Sequence, residues 1–193
     1  MAYFVVKIIR YIVSYENQYY TIMRINALSV ANYFIELAQR DEVSITQLGL
    51  MKRVYIAHGF SLALLNFSLL DSRFDDVEAW KYGPVIPSVY HSFKCYRNGP
   101  ITDKTIIVEW DEHSHTENYV FPDLNDNRAR MIVEMVWDRY KGYTDSEMVT
   151  LTHKEGTPWA LCYEEGMNNK IPDSYTKLYY TKFVNNIVES SKK

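Results

Sequence analysis

The apolar residues of this chain follow a helical pattern over most of its length. Over residues 27–38 they recur at spacings of three and four, which predicts an amphipathic helix, and Asn26 stands at its N-cap position. A second helix is predicted to start after Thr46, and the apolar pattern continues through residue 70. Gly59 lies inside this second helix. We expect it either to kink or end the helix or to allow another helix to approach closely.

Five further helices are predicted from the residues at their starts. Each start has a side chain that can cap the first turn, or a proline whose fixed φ suits it. These starts are Pro87, Asp126, Thr144, Thr157-Pro158 and Ile171-Pro172.

Strand signals are few. Residues 105–110 (TIIVEW) and 117–121 (ENYVF) are rich in β-branched and aromatic residues, and the polar stretch between them predicts a hairpin. Gly83-Pro84 is predicted to form a turn. The predicted fold is therefore mainly α, a compact multi-helix single domain with one small antiparallel β-hairpin at about residues 105–121.

Residues 1–22 differ from the rest of the chain. They are rich in β-branched residues and tyrosine, and they show no clean period. We interpret them as an N-terminal extension of uncertain order, with the domain over residues 23–193 and Met23 as a plausible start.

Composition narrows the class of protein. Hydrophobic residues make up 47% of the chain and the formal net charge is −3, which fits a globular domain and argues against a nucleic-acid partner. Cys95 and Cys162 lie far apart and outside any CxxC motif, so neither a disulfide framework nor a four-cysteine zinc site is expected. No run approaches the roughly 20 apolar residues of a membrane span. The expected location is the cytoplasm.

Catalytic motifs for nucleotide binding, metalloproteases and serine hydrolases are absent from the sequence. Asp111, His113, His115 and Glu117 alternate, so an extended chain would direct all four to one side, where they could hold a metal ion. The more ordinary interpretation is a solvated hairpin tip, because no ligand from a second element is evident. We therefore expect no metal and no cofactor.

Two other histidines could act as general bases. His58 lies in the second helix, and His153 is followed closely by Glu155. A structural, hydrogen-bonded role is favoured for both, because no nucleophile is placed nearby. Cys95 is expected to be an inert thiol.

The segment AWKYGPV, residues 79–85, has the composition of a contact surface. A rigid turn flanked by Trp80 and Tyr82 loses little entropy when it meets a partner. Core and interface roles stay open for Tyr82 and Pro84, whereas a core role is favoured for Trp80.

Three blocks of the sequence are similar to a known family. LGLMKRVYIAHGFSLAL (residues 48–64), EAWKYGPVIPSVYHSFK (78–94) and LTHKEGTPW (151–159) occur in order and resemble the Panacea domain, the SocA-like family of antitoxins, which includes GepA-type phage-associated proteins. The similarity runs from about Asn26 to the final helix.

The resemblance implies a protein that is not an enzyme. It implies an antitoxin, often found in prophages, that neutralises a cognate toxin by direct binding. A small alarmone synthetase-like enzyme is one toxin that the resemblance allows. The alternative within the family is a proteolytic adaptor that delivers the toxin to the ClpXP protease. From a different class, a small metal-dependent hydrolase using His113 and His115 stays open. The residues expected to contact the toxin, taken from the matched blocks, are Lys52, Tyr55, Trp80, Tyr82, Pro84, Tyr90 and Trp159.

Overall fold

The computed structural model describes residues 25–111 and 113–191. The predicted extension over residues 1–22 lies outside the described residues. The α-helices are α1 (Ala27–Arg40), α2 (Gln47–Leu64), α3 (Pro87–Phe93), α4 (Asn127–Tyr140), α5 (Asp145–His153), α6 (Pro158–Cys162) and α7 (Asp173–Ser190). The strands are β1 (Glu78–Trp80), β2 (Gly83–Val85), β3 (Ile107–Asp111), β4 (Thr116–Val120) and β5 (Asn169–Lys170).

Most of these helices start where the sequence predicts. The side chains at their N-caps accept hydrogen bonds from backbone N–H groups of the first turn, which would otherwise lack partners. The capping residues observed in this role are Asn26, Thr46, Asp126, Thr144 and Thr157. The α-rich fold predicted from the sequence is confirmed.

Helix α2 is the centre of the domain. It contacts α1, α4, α5 and α7, and it is buried on nearly all sides from Gln47 to Leu62. The helix passes through Gly59 without ending there. A Cβ atom added at Gly59 would lie 2.3 Å from the ring of Tyr180 in α7. The glycine therefore permits close helix packing, which was one of the two roles predicted for it.

The predicted hairpin at residues 105–121 is present as β3 and β4. These strands pair antiparallel, from Ile107 opposite Val120 to Asp111 opposite Thr116. Trp110 and Tyr119 are exposed on this ribbon.

A second small sheet was not predicted. Its strand order is β2-β1-β5, with both pairs antiparallel. Gly83 and Pro84, which we predicted as a turn, lie in β2, and the reversal itself falls at Lys81 and Tyr82. The strands are three, three and two residues long, too short to leave an alternating pattern in the sequence.

Candidate functional site

A pocket of about 590 Å³ lies between the start of α2, the β1–β2 hairpin and the segment that follows α3. Its walls combine aromatic, aliphatic and basic side chains. The described residues that line it are Gln47, Leu48, Met51, Lys52, Trp80, Lys81, Tyr82, Val85, Tyr90, Lys94, Arg97, Asn98 and Asn168. We call this feature the hairpin pocket.

Lys52 lies at the base of the hairpin pocket and is fully buried. Its Nζ atom donates a hydrogen bond to the carbonyl oxygen of Pro84 at 3.0 Å. Burial lowers the pKa of Lys52 to about 7 because the charged form loses solvation. No salt bridge of Lys52 occurs among residues 25–111 and 113–191. This amine is therefore a buried titratable group that is hydrogen-bonded to the β1–β2 hairpin.

Gly83 makes the close approach of Lys52 possible. Its φ of 101° lies in the region that favours glycine, and a Cβ added there would lie 2.6 Å from Lys52 Nζ. The same Cβ would lie 3.2 Å from Oγ1 of Thr152, a buried residue of α5. A side chain at position 83 would therefore displace the amine or the hairpin.

Trp80 forms an aromatic wall of the pocket. Its ring meets that of Tyr90 edge-on, with 5.0 Å between centroids, and its indole N–H donates to Glu78 at 2.6 Å. The carbonyl oxygen of Trp80 accepts a 2.7 Å hydrogen bond from the indole N–H of Trp159 in α6. Trp159 thus connects the third sequence block to the hairpin.

His153 stands beside this connection. Its ring centroid is 4.0 Å from that of Trp159, and its Nε2 is 3.3 Å from the carbonyl oxygen of Lys81. Partial burial lowers the pKa of His153, and the nearby charge of Lys52 lowers it further. These contacts hold the imidazole against the β1–β2 hairpin.

The site residues predicted from the sequence fall into three groups. Lys52, Trp80, Tyr82 and Tyr90 line the hairpin pocket. Tyr82 has 64% of its surface exposed, so it is free to meet a partner.

Pro84 and Trp159 hold the hairpin rather than forming the pocket wall. Pro84 is buried and contributes its carbonyl oxygen to Lys52. Trp159 is half-buried and anchors β1. Both residues therefore stabilise the conformation of the β1–β2 hairpin without lining the pocket.

Tyr55 requires a correction to the expected contact surface. It is only 2% exposed, and its ring packs against that of Tyr180 with 6.2 Å between centroids. Because α2 is enclosed by neighbouring helices, a residue one turn away from Lys52 lies in the core. Tyr55 therefore offers no surface to a partner.

Sequence reasoning missed three basic residues of the pocket wall. One is Lys81, which is exposed at the reversal between β1 and β2. Lys94 and Arg97 are exposed at its edge, in the short 3₁₀ turn Lys94–Tyr96 and immediately after it. Arg97 has a φ of 53°, a left-handed conformation that costs energy in residues other than glycine. Lys94 closes the second sequence block, whereas Arg97 left no signal in the pattern.

The histidines considered for catalysis or metal binding have separate surroundings. His58 is buried and pairs with Asp173 at 3.0 Å, while His113 and His115 lie at the tip of the β3–β4 hairpin. Within the described ranges, no group of three or more His, Cys, Asp or Glu side chains is placed to hold a metal ion. The alternating residues of the hairpin tip instead form a turn, in which Asp111 accepts from the backbone N–H of His113.

No helix in the described part of the chain combines the length and the apolar character of a membrane span.

The comparisons with known proteins agree with these features. The family model described as "Antitoxin SocA-like, Panacea domain" matches residues 50–160, and the chain belongs to this family. The chain is also 31% identical, over 139 residues, to Antitoxin SocA of Caulobacter vibrioides (strain NA1000 / CB15N). That alignment covers 70% of this chain and 69% of the relative. No solved structure gives a significant match. The resemblance stated from the sequence is confirmed.

Proposed function

We propose that this protein is an antitoxin that neutralises a cognate toxin by binding it directly, without catalysis. The observation that supports this most strongly is the meeting of the three sequence blocks at one place. Lys52 from the first block and Trp159 from the third both hydrogen-bond to backbone carbonyls of the hairpin in the second. Membership of an antitoxin family gives this convergence its functional interpretation.

The surface around the hairpin pocket suits protein recognition. Tyr82 stands exposed at the turn, and Trp80 and Tyr90 are partly exposed beside it. Large aromatic side chains with a polar end are the residues that most often anchor protein interfaces. Hydrogen bonds from Lys52 and Trp159 already hold the β1–β2 hairpin in place, so it loses little conformational entropy on binding.

The family resemblance implies that the toxin is encoded by the gene beside that of the antitoxin, so the test is co-expression with the product of this neighbouring gene. Cells that express this neighbour alone are expected to stop growing, and cells that also contain the present protein are expected to grow. Growth arrest that is unchanged by the present protein would reject the antitoxin role.

Tyr82→Ala is expected to weaken the toxin complex at least about tenfold while the domain stays folded, because the side chain is exposed. The complex is measured by calorimetry and the fold by circular dichroism. Tyr175→Ala, at an exposed tyrosine of α7, is the matched control and is expected to bind normally. Loss of helical structure in Tyr82→Ala would show that the residue is structural.

The same co-expression separates direct neutralisation from delivery to ClpXP. Direct binding predicts that the toxin accumulates together with the present protein. The adaptor mechanism predicts a different result. Once protein synthesis is blocked, the toxin level should fall in the presence of this protein, and it should stay constant in cells that lack the protease.

A further inference from the structure

The hairpin pocket concentrates positive charge in a chain whose net charge is negative. Four of its lining residues are basic, namely Lys52, Lys81, Lys94 and Arg97. No Asp or Glu among the described residues lines the pocket. The pocket therefore presents an electropositive concavity on a protein with a net charge of −3.

These charges differ in depth. Lys81, Lys94 and Arg97 are exposed around the opening, where they can contact a bound group. Lys52 is buried beneath it and has a single hydrogen bond, to Pro84, among the described residues. When this buried amine is protonated it has no counter-ion among the described residues, so an anion placed above it is favoured.

The remaining walls are apolar or aromatic, apart from the amides of Gln47, Asn98 and Asn168. Leu48, Met51 and Val85 line the pocket together with Trp80 and Tyr90. An occupant with aliphatic carbons next to its negative charge would match both parts of this lining. A Glu or Asp side chain beside apolar residues in a polypeptide has this chemistry.

We propose that the hairpin pocket binds an acidic segment of the toxin, with a carboxylate placed between Lys94 and Arg97 and above Lys52. This inference rests on the proposed antitoxin function, which supplies the protein partner. It adds the chemical character of the toxin segment that the site recognises.

A nucleotide fits the pocket less well than an acidic peptide. Phosphate sites in proteins commonly use clustered backbone N–H groups of a glycine-rich loop, which the sequence lacks. The basic residues here are instead three lysines and one arginine from separate parts of the chain, which is unlike such a loop. Free nucleotide is nevertheless included as an arm of the test.

Binding of an acidic segment is expected to depend on pH through Lys52. The pKa of Lys52 is lowered to about 7 in the free protein, and a carboxylate above it would raise that pKa, so the complex takes up a proton. Affinity should therefore fall as pH rises above 7. The other charged groups facing this region are Lys81, Lys94, Arg97 and His153, and the pKa of His153 is lowered, so it stays neutral in this window.

The central experiment measures toxin binding by calorimetry for the wild type and for the double variant Lys94→Glu with Arg97→Glu. The double variant is expected to lose at least about tenfold in affinity, with a reduced dependence on salt. Lys182→Glu, at an exposed lysine of α7, is the matched control and should bind as the wild type does. Lys52→Met should bind with less dependence on pH between 7 and 9.

A second arm does not require the toxin. Two capped tetrapeptides, Ac-Leu-Glu-Glu-Leu-NH₂ and its glutamine counterpart, are titrated while the indole N–H signal of Trp80 is followed by NMR. The acidic peptide is expected to shift this signal and the glutamine peptide is not. Equal shifts, or none with the acidic peptide, would overturn the proposal, as would tighter binding of ATP.

The two arms separate the possible failures. If the wild type does not bind the neighbouring gene product, the antitoxin function is rejected, and the peptide arm still decides whether the pocket takes carboxylates. If the wild type and the double variant bind the toxin equally well, the antitoxin function stands and the acidic-segment proposal is rejected.

Discussion

The burial of Lys52 at the base of the hairpin pocket has an energetic cost. A buried ammonium loses solvation, and its hydrogen bond to Pro84 offsets only part of that loss. Its pKa is lowered from 10.5 to about 7. Between these values the unfolded chain carries the proton and the folded chain does not. The free energy of unfolding therefore rises with pH across this window, and the contribution is lost as pH falls through 7.

This argument predicts the behaviour of Lys52→Met. The variant should be more stable than the wild type at pH 7, because an apolar side chain replaces a buried amine. The wild type should gain stability relative to the variant as pH rises from about 7 to 9, by up to roughly 1.4 kcal/mol per pH unit. Urea unfolding at several pH values measures the difference. Parallel pH profiles for the two proteins would show that Lys52 does not titrate in this range.

At the level of elements, the β1–β2 hairpin depends on the helices around it. Strands of three residues are too short to be stable by themselves. The hairpin is held by pairing with β5, by the amine of Lys52 and by the indole of Trp159. The shape of the candidate binding surface is consequently set by residues outside the hairpin.

Trp159→Phe tests this dependence. The phenyl ring retains aromatic packing against His153 but cannot donate to the carbonyl oxygen of Trp80. A loss of about 1 kcal/mol in unfolding free energy is expected, with faster amide exchange in β1 and β2. Thermal unfolding and hydrogen exchange measure these effects. Trp110→Phe, at an exposed tryptophan of β3, is the control and should change neither quantity.

At the scale of the whole molecule, α2 organises the packing of the domain. Its contacts with α7 include Gly59 against Tyr180. Because glycine has no side chain, the two helices can pack closely at this point. Tyr180 also contacts Phe60 edge-on, with 5.1 Å between ring centroids. This aromatic packing joins the C-terminal helix to the centre of the domain.

Gly59→Ala is expected to destabilise the domain by about 1–3 kcal/mol, because the added methyl group would overlap the Tyr180 ring. Gly142→Ala, where a Cβ meets nothing within 4 Å, is the control and should have little effect. Adding Tyr180→Leu to Gly59→Ala should recover part of the loss, which a double-mutant cycle measures. An unchanged stability in Gly59→Ala would mean that α7 can move away at no cost.

The local features of this fold were predictable, and the reason is physical. A helix cap involves residues within one turn of each other, so Asn26, Thr46 and Thr144 could be recognised from the sequence alone. The pairing of β1 with β5 could not, because it joins residues such as Glu78 and Lys170, which are far apart in the chain. These short strands carry no period of their own.

The candidate site shows the same division. The sequence itself determined the helical class, the family and the three blocks that carry it, because these depend on local order along the chain. Only the tertiary structure decided that Lys52 lies beneath a pocket while Tyr55, three residues later, lies in the core. Helix α2 is buried on almost every side, so its sequence pattern does not reveal which neighbour each residue contacts. Arg97 likewise lies at the site because of the tertiary fold, and the pattern of apolar residues along the chain does not predict this.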